Sequence, residues 1–98
     1  MMAEIQVFVE FTGISRMLTG QSDVTFKIDA GTTFKDIVAL VAKQYPALLG
    51  QIIDMNGRDF IATNLFSLNG QQMIQDSDMG GKPQSGDRLI LISLLAGG

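Results

Sequence analysis

The groups in this chain that could do chemistry are few. No histidine and no cysteine occur among its 98 residues, so the usual proton shuttle, thiol nucleophile and Cys-based metal ligands are missing. What remains are scattered carboxylates and hydroxyls, and the closing run Leu94-Leu95-Ala96-Gly97-Gly98. In that run the side chains shrink to nothing. A carboxylate on Gly98 would be a thin acyl group, and the wide backbone freedom of glycine would let it enter a narrow channel. The expected working group is therefore the Gly98 carboxylate, carried rather than catalysing. Gly97, Ala96, Leu95 and Leu94 form the segment that a partner would grip. A frayed end or an added tail would leave the same two glycines, so the expectation needs support from elsewhere in the chain.

Other constellations point to structure instead. Asp76-Ser77-Asp78-Met79-Gly80-Gly81, with Asp87 at the twelfth position, partly mimics a calcium loop. Glycine stands at its fifth position and Asp rather than Glu at its twelfth, and strands rather than helices are expected on either side, so an ordinary solvated loop is the expectation and no metal site is assigned. Gly81-Lys82 is followed by Pro83 and not by Ser or Thr, which excludes a phosphate loop. Asp23, Asp29, Asp54 and Asp59 read as turn residues rather than a catalytic dyad. The six methionines read as core filler.

Composition narrows the classes further. The length suits one domain, and a hydrophobic fraction of 46% can fill a core. Net charge is −3, and the seven basic residues are spread singly, so nucleic-acid binding is not expected. An acidic domain suits a basic protein groove better. Met1-Met2-Ala3-Glu4-Ile5 lacks the basic and apolar segments of a signal peptide. No apolar run approaches the ~20 residues needed to span a bilayer, so no membrane is expected and the cytoplasm is the default location.

The elements that must position the tail follow from periodicity. Ile5, Val7, Val9 and Phe11 alternate with Gln6, Phe8 and Glu10, a strand with one apolar face. Thr12 to Asp23 reads as a connector, with Met17-Leu18 turned inward. Val24, Phe26 and Ile28 make a second strand, antiparallel to the first. Thr33 opens a helix, where Thr33 and Asp36 form a capping-box variant. Phe34, Ile37, Val38, Val41 and Tyr45 share one face, and Pro46 ends the run. Ala47 to Ile53 allows a second helical turn. Ile61 to Leu68 reads as a third strand, and Asn69-Gly70 as a hairpin turn leading into Gln71 to Ile74. Leu89 to Leu94 is apolar at every position except Ser93, so it is expected at the centre of the sheet beside the first strand. One helix then covers only one sheet face. On the other face Phe8 either contacts a partner or is covered by the connector around Met17-Leu18.

With this order of elements the chain resembles the small sulfur-carrier proteins of the β-grasp, ubiquitin-like superfamily, with the closest likeness to the small subunit of molybdopterin synthase. The features that carry the resemblance are the capped helix after Ala30-Gly31-Thr32-Thr33, the Tyr45-Pro46 that closes it, Phe66-Ser67-Leu68-Asn69-Gly70, and Gly86-Asp87 before a last strand that leads to Ala96-Gly97-Gly98. Relatives commonly carry a proline where Ser93 stands and a leucine in the loop of Gly80-Gly81 and Pro83. These departures leave the pathway open, and thiamin-pathway carriers share the same ending.

The resemblance implies an α+β, β-grasp fold, with a mixed four- to five-stranded sheet packed on one main helix. Residues 1–94 would form a single domain, and 95–98 a flexible tail. It implies a carrier rather than an enzyme, with no bound cofactor. A partner adenylating enzyme, E1-like, would use ATP and Mg²⁺ to activate Gly98, a persulfide sulfur would displace AMP, and the thiocarboxylate would serve the large subunit of a molybdopterin synthase-like enzyme. Two other readings compete: a protein modifier joined to lysines through Gly98, and a non-covalent interaction module with an incidental ending. A homodimer in the absence of the partner is compatible with exposed apolar residues.

Overall fold

The computed structural model describes residues 3–94. In chain order they form β1 (Glu4–Phe11), α1 (Gly13–Thr19), β2 (Asp23–Asp29), α2 (Phe34–Gln44), a 3-10 turn (Pro46–Leu48), β3 (Asn64–Leu68), β4 (Gln72–Met73), a second 3-10 turn (Asp76–Asp78) and β5 (Arg88–Ser93). The strands build one mixed sheet in the order β2-β1-β5-β3-β4. β1 is antiparallel to β2, with Val7 opposite Phe26, and parallel to β5, with Val9 beside Leu89. β5 is antiparallel to β3, with Leu91 opposite Phe66. The apolar run at the end of the chain thus occupies the centre of the sheet, as its composition requires. A strand with neighbours on both edges leaves few backbone groups facing water.

α2 forms where local signals agree. The Thr33 N–H donates to Asp36 Oδ2 at 3.0 Å and the Asp36 N–H donates to Thr33 Oγ1 at 3.1 Å, which satisfies two of the donors a helix start leaves open. Two more are taken by a distant loop. The Phe34 N–H donates to the Gly81 carbonyl at 2.9 Å and the Lys35 N–H to the Met79 carbonyl at 3.0 Å. That loop comes so close that a Cβ on Gly81 would lie 3.1 Å from the Asp78 carbonyl oxygen and 3.4 Å from the Phe34 ring. Phe34, Ile37, Val38, Val41 and Ala42 are buried against Val7, Val9, Phe11, Phe66, Leu89 and Leu91 of the sheet. Each such side chain contributes on the order of 1.5–3 kcal/mol by leaving water. Tyr45 ends the helix and sets its ring edge-on to Phe11 at 5.2 Å.

The connector between the first two strands is the main correction to the sequence reading, because it contains a helix. Ser15 is buried, and its Oγ accepts from the Thr12 N–H at 3.0 Å and donates to the Thr12 carbonyl at 2.7 Å. At the other end Gly20, at φ 69°, lets its N–H reach the Arg16 carbonyl at 2.9 Å. Leu18 packs on the core as expected, but Met17 is 81% exposed.

Smaller differences have local causes. β3 begins at Asn64 and not at Ile61, because the Ile61 N–H is drawn to the Ile52 carbonyl at 2.9 Å and Ala62 sits at φ 54°. The turn after Tyr45 stops at Leu48, since Leu49 bridges to Ile53. Asn69 and Gly70, at φ 56° and 72°, make the expected hairpin turn, and the returning strand pairs only at Gln72 and Met73.

Candidate functional site

The end of β5 is built by three segments. Ser93 pairs with Asn64, and the Leu94 N–H donates to the Thr63 carbonyl at 3.1 Å. Sheet hydrogen bonding therefore runs one residue beyond β5, as a serine at position 93 allows. On the opposite side β1 stops at Phe11, and the Thr12 hydroxyl takes over by donating to the Leu91 carbonyl at 2.7 Å. The start of α1, the stretch around Ile52 and the turn at Ala62 then surround the strand end. Between them lies a hollow of about 330 Å³, lined among others by Thr12, Ile14, Ile52, Ala62, Leu91 and Ser93. Ala62 holds a left-handed backbone on its rim, a conformation that costs a non-glycine residue roughly 1 kcal/mol or more.

Leu94 is the last described residue of the expected gripping segment, and it is 44% exposed. Leu95, Ala96, Gly97 and Gly98 lie outside the described residues. The sheet face turned away from α2 carries an apolar stripe along β5, made by Ile90 and Ile92 and flanked by Phe8 on β1 and Leu65 on β3. These side chains are only partly buried. Of this stripe the sequence singled out only Phe8. Strict alternation applied to β5, with Leu89 and Leu91 set inward, would have found Ile90 and Ile92 as well.

Phe8 has a cover that neither sequence alternative named. The Arg88 guanidinium lies 5.3 Å from its ring centre, and Arg88 Nη1 reaches Glu10 Oε1 at 3.0 Å and Asp23 Oδ2 at 3.5 Å. One cation thus ties three neighbouring strands together and shields an aromatic ring. The pairs are half-exposed, so each contributes at most a fraction of a kcal/mol to about 1 kcal/mol.

The carboxylates of the loops are committed to turns. Asp87 accepts from Asn69 Nδ2 at 3.1 Å and from the Gln84 N–H at 2.8 Å, and Asp78 Oδ2 accepts from the Gln75 N–H at 3.4 Å. Asp59 accepts from Asn56 Nδ2 at 2.8 Å and meets Lys35 at 3.5 Å. Those two partners, Asn56 first, hold its carboxyl below the usual carboxylate range. Among the described residues no group of three or more acidic, His or Cys side chains could hold one ion, and no helix is long and apolar enough to cross a membrane.

No protein-family model matches the chain, and no curated relative does. Solved structures do. Small archaeal modifier protein 1 from Haloferax volcanii superposes with a TM-score of 0.78 at 19% identity, covering 95% of this chain and 99% of that one. Urm1 from Trypanosoma brucei gives 0.68 at 21% identity over 100% of both chains. A putative molybdopterin converting factor subunit 1 from Pyrococcus furiosus gives 0.68 at 16% identity, covering 91% of this chain and 97% of that one. Strand order, the capped main helix and these superpositions agree that the chain has the ubiquitin-like β-grasp fold of the α+β class.

Proposed function

We propose that this chain is a sulfur carrier whose working group is the carboxylate of Gly98, charged by one partner and discharged in another. The observation that supports it most is where β5 delivers the chain. The central strand, fixed on both sides, ends at an exposed Leu94 beside the apolar stripe, and the next residues in the chain are Leu95-Ala96-Gly97-Gly98. In the proposed cycle the Gly98 carboxylate attacks the α-phosphorus of ATP on an adenylating enzyme, and pyrophosphate leaves. A persulfide sulfur attacks the acyl carbon and AMP leaves. Thiol reduction of the resulting acyl disulfide frees the thiocarboxylate, which donates its sulfur to a pterin precursor on a molybdopterin synthase-type large subunit. The carrier supplies no acid, base or metal ligand. Its part is to present an acyl group without side chains, where a Cβ at position 97 or 98 would obstruct entry and restrict the extended backbone.

The test is the mass of the C-terminal peptide after incubation with the cognate adenylating enzyme, ATP, Mg²⁺ and a sulfur donor. An oxygen-to-sulfur increase is expected on Gly98, and removal of Gly98 should abolish it. A native peptide that extends past Gly98, or a charge retained without that residue, would refute the proposal. The likeness to small archaeal modifier protein 1 favours a second reading, conjugation of Gly98 to lysines. Gly-Gly remnants on lysines of cellular proteins would distinguish it from the first.

A further inference from the structure

β2 forms one border of the sheet, and its outer edge, which no strand among the described residues pairs with, has a defined chemistry. The Phe11 N–H bonds to the Ser22 carbonyl and the Ala30 N–H to the Ala3 carbonyl. Combined with the register Glu4 to Asp29 through Glu10 to Asp23, this alternation directs the backbone groups of residues 24, 26 and 28 toward β1. The N–H and C=O groups of Asp23, Thr25 and Lys27 point outward. Their side chains are exposed on the same sheet face as Phe8 and Arg88. Such a row is a template for another strand.

We infer that the fitting occupant is β2 of a second copy of this chain, antiparallel and centred on Thr25. Registers differ sharply in charge. Centring on Phe26 places Asp23 against Asp29 of the second copy, and centring on Lys27 places the two lysines face to face. Both are unfavourable. Centring on Ile28 pairs Lys27 with Asp29, but the Asp29 carbonyl already accepts from the Thr32 N–H at 2.9 Å, and β2 ends there. Centring on Thr25 sets Asp23 opposite Lys27 twice and pairs Val24 with Phe26 on the side facing the helices. It uses only outward backbone groups. Lys27 forms no ion pair among the described residues, so the cross-copy partner is its first. Asp23 meets Arg88 through Oδ2 alone, at 3.5 Å, and its side chain is half-exposed, so it can take a second cation.

The pairing merges two sheets into one and leaves both working ends open. Five strand spacings separate the two β5 strands, about 24 Å at the usual 4.7–4.9 Å each. The two-fold axis points their ends in opposite directions, so two partners can act without collision. The pairing is independent of what the tail carries.

The test is the oligomeric state of the full chain by sedimentation across concentration and salt. A dimer is expected that weakens as salt rises. Lys27→Asp should weaken it about tenfold or more, and the double exchange Asp23→Lys with Lys27→Asp should restore most of the loss. Thr25→Pro removes an outward N–H that β1 does not use, so the monomer should keep its fold while the dimer is lost. A chain that stays monomeric at every concentration would overturn the inference. So would a dimer indifferent to Thr25→Pro, which would place the contact on another surface.

Discussion

Thr12→Val tests whether the end of β5 is held by the Thr12 hydroxyl. The substitution keeps the size and the β-branch, so backbone preference and packing barely change. It removes one donor at a partly buried contact of 2.7 Å, where β1 has ended and the sheet offers no further residue to Leu91. A net hydrogen bond is worth about 0.5–1.5 kcal/mol, and a carbonyl left short of a partner adds to the loss. The expected destabilisation is about 1–2 kcal/mol, which for a domain of this size lowers the melting temperature by about 5–12 °C. Thr12→Ser keeps the hydroxyl and should lie closer to the parent protein. Amide exchange supplies the local readout: Leu94, bonded to Thr63, should exchange faster in the valine variant than in the serine variant. A valine variant that melts with the parent protein, or that unfolds more easily without faster exchange at Leu94, would refute the idea that Thr12 clamps this end.

Asp36→Asn should cost about 0.5–1 kcal/mol at neutral pH by weakening the α2 cap. The hydrogen bonds from Thr33 hold the Asp36 carboxyl below the usual carboxylate range. Its contribution is therefore complete above the unfolded value and disappears as pH falls through the lower folded value, so melting curves of parent and variant should converge toward pH 2. A gap that widens in acid would contradict this. Gly81→Val inserts atoms where a Cβ already meets the Asp78 carbonyl at 3.1 Å, and a chemical denaturation curve should show a loss of about 1–3 kcal/mol. Gly80→Ala, with nothing within 4 Å of its Cβ, should be close to neutral. Equal effects at the two positions would mean that the space around Gly81 is not closed by the Asp78 carbonyl and the Phe34 ring.

What could be read from the sequence was local. The Thr33–Asp36 cap is closed by residues close in the chain, the Asn69-Gly70 turn rests on two adjacent residues at positive φ, and the apolar face of α2 shows as a spacing within one helix, although it packs on distant strands. The central position of β5 was also legible, because an edge strand with so nearly continuous an apolar run would leave it beside water and open to pairing with other chains. α1 was not. Seven residues are too few to hold a helix in water without tertiary support. Its support comes from Ser15 turned back on Thr12, and from Thr12 bonded to a strand far along the chain. An exposed Met17 further breaks the pattern by which a helix is recognised. The shielding of Phe8 was hidden for the same reason, since Arg88 is its neighbour only through the β1–β5 pairing. The late start of β3 depends on the left-handed Ala62, and alanine carries no sequence signal for that conformation.

The placement of β5 also limits the reach of the proposed carrier. β1 holds this strand through Phe8 to Phe11 and β3 through Asn64 to Leu68, so Leu94 has a fixed position relative to Ile90 and Ile92. A partner that seats itself on that stripe has thereby set where the tail begins. From Leu94 to Gly98 there are four further residues, which extend at most about 13–14 Å at 3.3–3.6 Å per residue. An activating site deeper than that below the contact surface would be out of reach while the stripe remains covered. One extra glycine after Gly98 would instead carry the acyl carbon past a site matched to this length. Charging by the adenylating enzyme should therefore fall both when Gly97 is deleted and when a glycine is added. A carrier that is charged equally well at all three lengths would show that the partner does not grip the stripe and the tail at once.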